Sequence, residues 1–135
     1  MIRIVRLGTK RAAGEGTRLG TVRRPPRGVP KKDFARHDWY DVWFPLLAPS
    51  AATMKLGLAS QSEPSRTVAD RQWRAFTRKY HAEMRAPAPS QALDALAALS
   101  RHANFSVGCY CENESRCHRS LLRALLTERG ATIAP

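Results

Sequence analysis

Between residues 90 and 134 the apolar positions switch repeatedly between helical and strand spacing, and this alternation restricts the fold more than any other feature. From about Ser90, the residues Leu93, Leu96, Ala97 and Leu99 recur at helical spacing. Residues 104–110, NFSVGCY, read as a short buried strand. A helix follows from about Cys117 to Arg129, with Leu121, Leu122, Leu125 and Leu126 as its buried stripe and Gly130 at its C-cap. The closing ATIAP supplies an expected last strand. Helix, strand, helix, strand in succession favours a parallel sheet covered by helices.

The first half fits the same plan. Residues 2–7, IRIVRL, alternate apolar and basic as a half-exposed strand does. Gly8, Gly14 and Gly16 mark a loop, and residues 17–23, TRLGTVR, read as a second strand weakened by Gly20. Residues 23–33 hold Pro25, Pro26, Gly28 and Pro30, so they form an irregular basic loop. Pro45 and Pro49 restrict residues 34–50 to a short helical turn or an extended piece, and a weak helix is expected over 51–60. The longest helix runs from about Ser65 to Arg85, where Ala69, Trp73, Phe76, Tyr80 and Met84 lie on one face. Ser65 and Thr67 are its N-cap candidates and Pro87 ends it. The expectation is an α/β fold: a single domain over residues 1–135, with a small, mostly parallel sheet flanked by helices in a Rossmann-like three-layer arrangement.

Apolar residues are 43% and charged residues 25% of the chain, enough for one packed core. No apolar run approaches the roughly 18–20 residues that span a bilayer, so no membrane partner is expected. MIRIVRLGTKR lacks the apolar block of a secretory signal. Three cysteines argue against a disulfide scaffold and for the reducing cytoplasm.

Charge is uneven. Lys and Arg number 23 against 11 Asp and Glu. Residues 1–36 hold 11 basic side chains and only Glu15 and Asp33 as acids, a local excess of nine. Such a surface favours an anionic small molecule or nucleic acid, and arginine suits bidentate recognition of phosphate. GC-rich coding accounts for the same bias without any function.

The chemically dense stretch is VGCYCENESRCHRSLLRALL, residues 107–126, which holds every cysteine. It sits where a strand hands over to a helix, the usual ligand position in open α/β sheets. A helix N-terminus there offers free amides and positive charge to an anion. On a helical wheel His118 falls within the leucine stripe and points toward the core. Arg116, Arg119 and Arg123 cluster roughly 120° away on an exposed flank. A buried His118 is equally well a core histidine donating to a carbonyl, and the arginines equally well a solvated face.

Three chemistries compete for the thiols. Cys109, Cys111, Cys117 and His118 could satisfy tetrahedral zinc, but C-x-C followed by C-H is not a standard knuckle spacing, and in an extended strand Cys109 and Cys111 stand about 6–7 Å apart. No metal or cofactor is therefore assigned. Alternatively Cys111 is a thiolate nucleophile. The loop CENESR has the length of a rhodanese active loop, and backbone amides with Arg116 would lower the thiol pKa. Cys109, on a buried strand, is also well explained as a small apolar side chain.

Four segments resemble, in order, the bacterial family called domain of unknown function 488, closest to its small YeaO-like members. GCYCENESRCHRSLLRALL resembles its hallmark strand ending in Cys, short acidic loop and Cys-His-Arg helix start, mapped here on Cys109 and on Cys117, His118 and Arg119. RLGTVRRPPRG at 18–28, WYDVWFPLLAPS at 39–50 and WRAFTRKYHAEM at 73–84 are similar to its other conserved pieces. Many members carry Glu two residues after the first Cys, where this chain has Cys111. The resemblance implies a compact α/β domain with a pocket, and no particular reaction.

The function expected from the residues is an anion- or phosphate-binding Cys-His-Arg site. Cys111 and Cys117 are the candidate catalytic residues. Arg116, His118 and Arg119 bind the ligand, and Arg24 and Arg27, on the loop after the second strand, close the pocket if that strand and the one leading to the cysteine loop end on one sheet edge. A rhodanese-like thiol-dependent transferase and a non-catalytic nucleic-acid binder are the alternatives. For the latter, Trp39, Tyr40 and Trp43 could stack on bases if exposed, although three aromatics this close are more often core.

Overall fold

The computed structural model describes residues 1–135. Four strands, β1 (Ile2–Arg6), β2 (Thr17–Gly20), β3 (Val42–Trp43) and β4 (Phe105–Cys109), form one sheet in the order β1-β4-β2-β3, and every neighbouring pair is parallel. The α/β class with a parallel sheet is thus present. Four helices follow: α1 (Ala51–Ser62), α2 (Arg66–Met84), α3 (Pro87–Leu99) and α4 (His118–Glu128). None is long and apolar enough to cross a membrane.

Helix limits follow the capping chemistry. Ser50 starts α1 and Ser65 starts α2, each side chain accepting from the amide three residues on. α3 begins at Pro87, earlier than Ser90, because proline at the first helical position loses no hydrogen bond and has its φ preset. Residues 45–47 make a single 3-10 turn behind the short strand β3. The expected last strand is reduced to an isolated bridge between Ile133 and Ile2.

Strand alternation sorts the two faces. Ile2, Leu19, Phe105 and Val107 face the helices and join Phe76, Tyr80, Met84, Leu93, Leu122 and Leu126 in one apolar cluster. The other face is covered by loops. There Tyr40 lies against Gly20 and Trp39 against Gly8, so closely that a Cβ at Gly20 would stand 2.4 Å from the Tyr40 ring. Beneath them Arg18, fully buried, donates to both Glu15 carboxylate oxygens at 2.7 and 3.1 Å and to the Thr9 and Asp38 carbonyls at 2.9 and 2.6 Å. Ser106 Oγ of β4 donates to Glu15 as well, at 2.7 Å.

The loop that carries Glu15 turns through Gly16, at φ +78°, where a Cβ would fall 1.9 Å from the Asn104 carbonyl oxygen. That oxygen is backbone and cannot move aside. Gly16→Ala is expected to cost about 2–3 kcal/mol, from left-handed strain plus displacement of the Asn104 segment. A urea midpoint unchanged within error would show that the loop accommodates it.

Part of the N-terminal basic excess is engaged by this architecture. Besides Arg18, Arg11 pairs with Asp41 at 2.7 Å, Arg23 donates to the Ala48 and Pro49 carbonyls, and Arg6 donates to the Tyr110 carbonyl. Tyr40 is buried and Trp43, though half exposed, is tied by its ring N–H to the Val22 carbonyl at 2.8 Å.

Candidate functional site

β4 ends at Cys109 in the middle of the sheet, and the chain bends before Cys111. The bend removes the separation that an extended strand would impose: Cys109 Sγ and Cys111 Sγ are 3.7 Å apart. Asn113 then accepts from the Ser115 amide at 3.0 Å and starts a 3-10 turn over Glu114–Arg116. That turn brings Cys117 back as the N-cap of α4, with its Sγ within 4.8 Å of Cys109 Sγ and of a His118 ring nitrogen. Cys109 and Cys117 are 2% exposed, whereas Cys111 is only partly buried and borders solvent.

His118 points inward, as the wheel indicates. Its Nε2 lies 2.8 Å from the Thr21 carbonyl oxygen, so Nε2 carries the proton and Nδ1 is the bare nitrogen. Nδ1 faces Cys117 Sγ at 3.8 Å. Burial disfavours the imidazolium and outweighs the Thr21 carbonyl, which favours it, so the ring pKa falls to about 4 and the ring is neutral. Thr21 is placed by β2, whose Gly20 pairs with Gly108 of β4, and its hydroxyl donates to the Gly108 carbonyl at 2.9 Å.

Cys111 is the acidic member of the cluster. The Cys109 and Cys117 thiols and the Gln61 amide, 3.5 Å away, all donate toward its sulfur, which holds its pKa well below the ordinary thiol range. Cys109 moves the opposite way, because it donates to Cys111 and is buried. In Cys117 the favourable contact with Cys109 is outweighed by donation to Cys111, burial and the neighbouring negative charge.

The arginines do not form the exposed flank expected from the wheel. Arg119 is 3% exposed: the 111–116 loop folds over the first turn of α4, and Arg119 Nη2 donates to the Cys111 carbonyl at 2.6 Å. Its Nε is buried without a partner. Arg116 pairs with Asp70 of α2 and lies over the Trp73 ring, 5.8 Å from its centroid. Arg123 pairs with Glu114 at 2.8 Å. β2 and β4 do end on the same sheet edge, and the Tyr110 hydroxyl donates to the Arg24 carbonyl at 2.8 Å, which ties the start of the 23–33 loop to the residue between Cys109 and Cys111. The Arg24 and Arg27 side chains are exposed. Two surface clefts lie elsewhere, one around Arg23, Leu46 and Glu83 and one around Val29, His37 and Trp39.

Thr21 and Gln61 went unnoticed in the sequence. Neither stands near the cysteines along the chain, and no local motif marks a side chain that arrives from another strand or from the end of α1.

A family model described as the active DUF488-N3 subclade matches residues 2–130. No curated protein and no solved structure gives a significant match.

Proposed function

Since the chain belongs to the domain of unknown function 488 family, whose name assigns no reaction, we propose from the site itself that it is a thiol-dependent sulfur transferase of rhodanese-like chemistry with Cys111 as nucleophile. The observation that carries this is the position of Cys111. It is the one thiol bordering solvent, and the hydrogen bonds of the cluster converge on its sulfur. A stabilised, accessible thiolate is what nucleophilic sulfur chemistry requires.

In the proposed cycle the Cys111 thiolate attacks the outer sulfur of an anionic sulfane donor such as thiosulfate. The donor S–S bond breaks, sulfite leaves with the bonding pair, and Cys111 holds a persulfide anion. A thiolate acceptor takes the outer sulfur, the persulfide bond breaks, and the Cys111 thiolate returns. Arg119, buried with an unpartnered Nε, and the first amides of α4 supply positive potential for the anionic donor. Arg24 and Arg27 form a cationic rim, and Cys117 supports the thiolate. Arg116, held by Asp70, braces the loop. The subclade is described as active, and a reactive thiol agrees with that word.

The test is mass spectrometry of the reduced chain after exposure to thiosulfate. A gain of one sulfur atom, mapped to the peptide containing Cys111 and reversed by a thiol acceptor, is expected. An unchanged mass at every cysteine would remove the proposal.

One observation favours a second use, binding of nucleic acid. Arg71, Arg74, Arg78 and Arg85 are exposed along one side of α2 and its end, over about 21 Å, and none is in an ion pair. Single-stranded oligonucleotide affinity should fall linearly in log–log form with salt, and Arg74→Glu with Arg78→Glu should lower both affinity and slope. No binding at about 50 mM salt would exclude this use.

A further inference from the structure

We propose that Cys109, Cys117 and His118, with Cys111 at the fourth corner, form a binding site for one thiophilic divalent cation of the Zn2+ type. This goes beyond sulfur transfer and does not depend on it.

The geometry is that of a tetrahedral site. The sulfurs of Cys109 and Cys117 and a ring nitrogen of His118 all lie within 4.8 Å of one another, and all three residues are buried. Bonds of about 2.3 Å to sulfur and about 2.1 Å to nitrogen put neighbouring tetrahedral ligands about 3.5–3.8 Å apart. Cys117 Sγ to His118 Nδ1 is 3.8 Å, and Cys109 Sγ to Cys111 Sγ is 3.7 Å. Two of the six edges therefore match before any atom moves, and Cys111, which lies outside the group of three, completes the fourth corner by turning its side chain inward.

The histidine is oriented as a ligand. Nε2–H is spent on the Thr21 carbonyl, so the bare Nδ1 is the atom turned toward the sulfurs. Ligating histidines are held in this manner, the second nitrogen donating to a carbonyl or carboxylate. Thr21 is itself anchored on Gly108 of the central strand, which makes the support rigid.

Charge supplies an independent argument. Arg119 is buried beside the loop, yet no carboxylate is in ion-pair contact with it. A buried cation without a counter-charge is costly. Three thiolates around one divalent cation leave a net charge of minus one, which the guanidinium neutralises. Binding releases the thiol protons to the buffer and changes no oxidation state. Cys111, on the solvent side, is both the last ligand and the entry path. Metal-bound and transfer-competent forms exclude each other, because Cys111 is a ligand in one and the nucleophile in the other.

The experiment is titration of reduced, metal-free full chain with Co2+, followed by Zn2+. One equivalent of Co2+ is expected to give tetrahedral ligand-field bands and a thiolate-to-cobalt charge-transfer band, all lost as Zn2+ displaces it. Cys111→Ser, on the exposed side and tolerant of the change, should bind at least about tenfold more weakly with a reduced charge-transfer band. Circular dichroism establishes that each protein is folded. Absence of the charge-transfer band in folded wild type overturns the proposal, as does a Cys111→Ser protein with unchanged affinity and unchanged spectrum. Persulfide formation is measured separately on metal-free protein, so either idea can fail while the other stands.

Discussion

Cys111→Ser is expected to lower the rate of sulfur transfer from thiosulfate by at least about 10^3-fold, with the fold unchanged. A serine hydroxyl at a partly exposed position fits the space but cannot form a persulfide. Alkylation of wild-type Cys111 provides the companion measurement. The hydrogen bonds from Cys109, Cys117 and Gln61 lower its pKa, so its alkylation rate should stay nearly flat as pH falls from 9 to 6. An ordinary thiol, with a pKa of about 8.5, loses close to tenfold per unit below that value. Gln61→Ala, which removes one donor at the cluster's edge, should shift the profile upward without stopping the reaction. If the three cysteines alkylate only with ordinary thiol titration, or only after unfolding, the nucleophile assignment fails.

Arg18→Met is expected to destabilise the domain by about 3–5 kcal/mol, because it strands the Glu15 carboxylate under the sheet without its partner. Arg18 also satisfies the Thr9 and Asp38 carbonyls, and both loops over that face depend on it. The pair predicts acid lability too. Burial by itself would raise the Glu15 pKa, but hydrogen bonds from Arg18, Ser106 and the Ala12 amide outweigh it and hold the carboxyl at about 2, below its ordinary 4.5. A carboxyl depressed in the folded state stabilises fully above about pH 4.5, and that stabilisation is lost as pH falls through 4.5 toward 2. Urea midpoints measured from pH 7 to pH 2.5 should drop across that window in wild type. In Glu15→Gln the drop should be smaller and start from a lower midpoint at pH 7. A wild-type curve no steeper than that of the variant would mean that the pair contributes nothing through linkage.

Both regions show where local pattern stops being informative. Arg18 lies in a segment read as a strand weakened by Gly20, and nothing in TRLGTVR marks it as buried. It is buried because two loops cross that face and Ser106 of the neighbouring strand helps to hold Glu15. Arg119 departs from the helical wheel for a related reason. A wheel describes one helix alone, and here a loop folds over the first turn and caps the guanidinium with the Cys111 carbonyl. His118 follows the wheel because its direction is set by the leucine stripe of its own helix.

The residues along the chain were sufficient to determine the helices, the parallel sheet and the concentration of sulfur at one strand-to-helix junction. Each depends on spacing of 2 or 3.6 residues, which reports on nearest neighbours in sequence. That the three thiols gather at one place, which of them borders solvent, and that Thr21 and Gln61 complete their surroundings were decided only in three dimensions. These depend on β4 lying between β1 and β2 and on a bend after Cys109, contacts between segments 50 to 97 residues apart. Such contacts are set by packing of the whole domain, which no local period encodes.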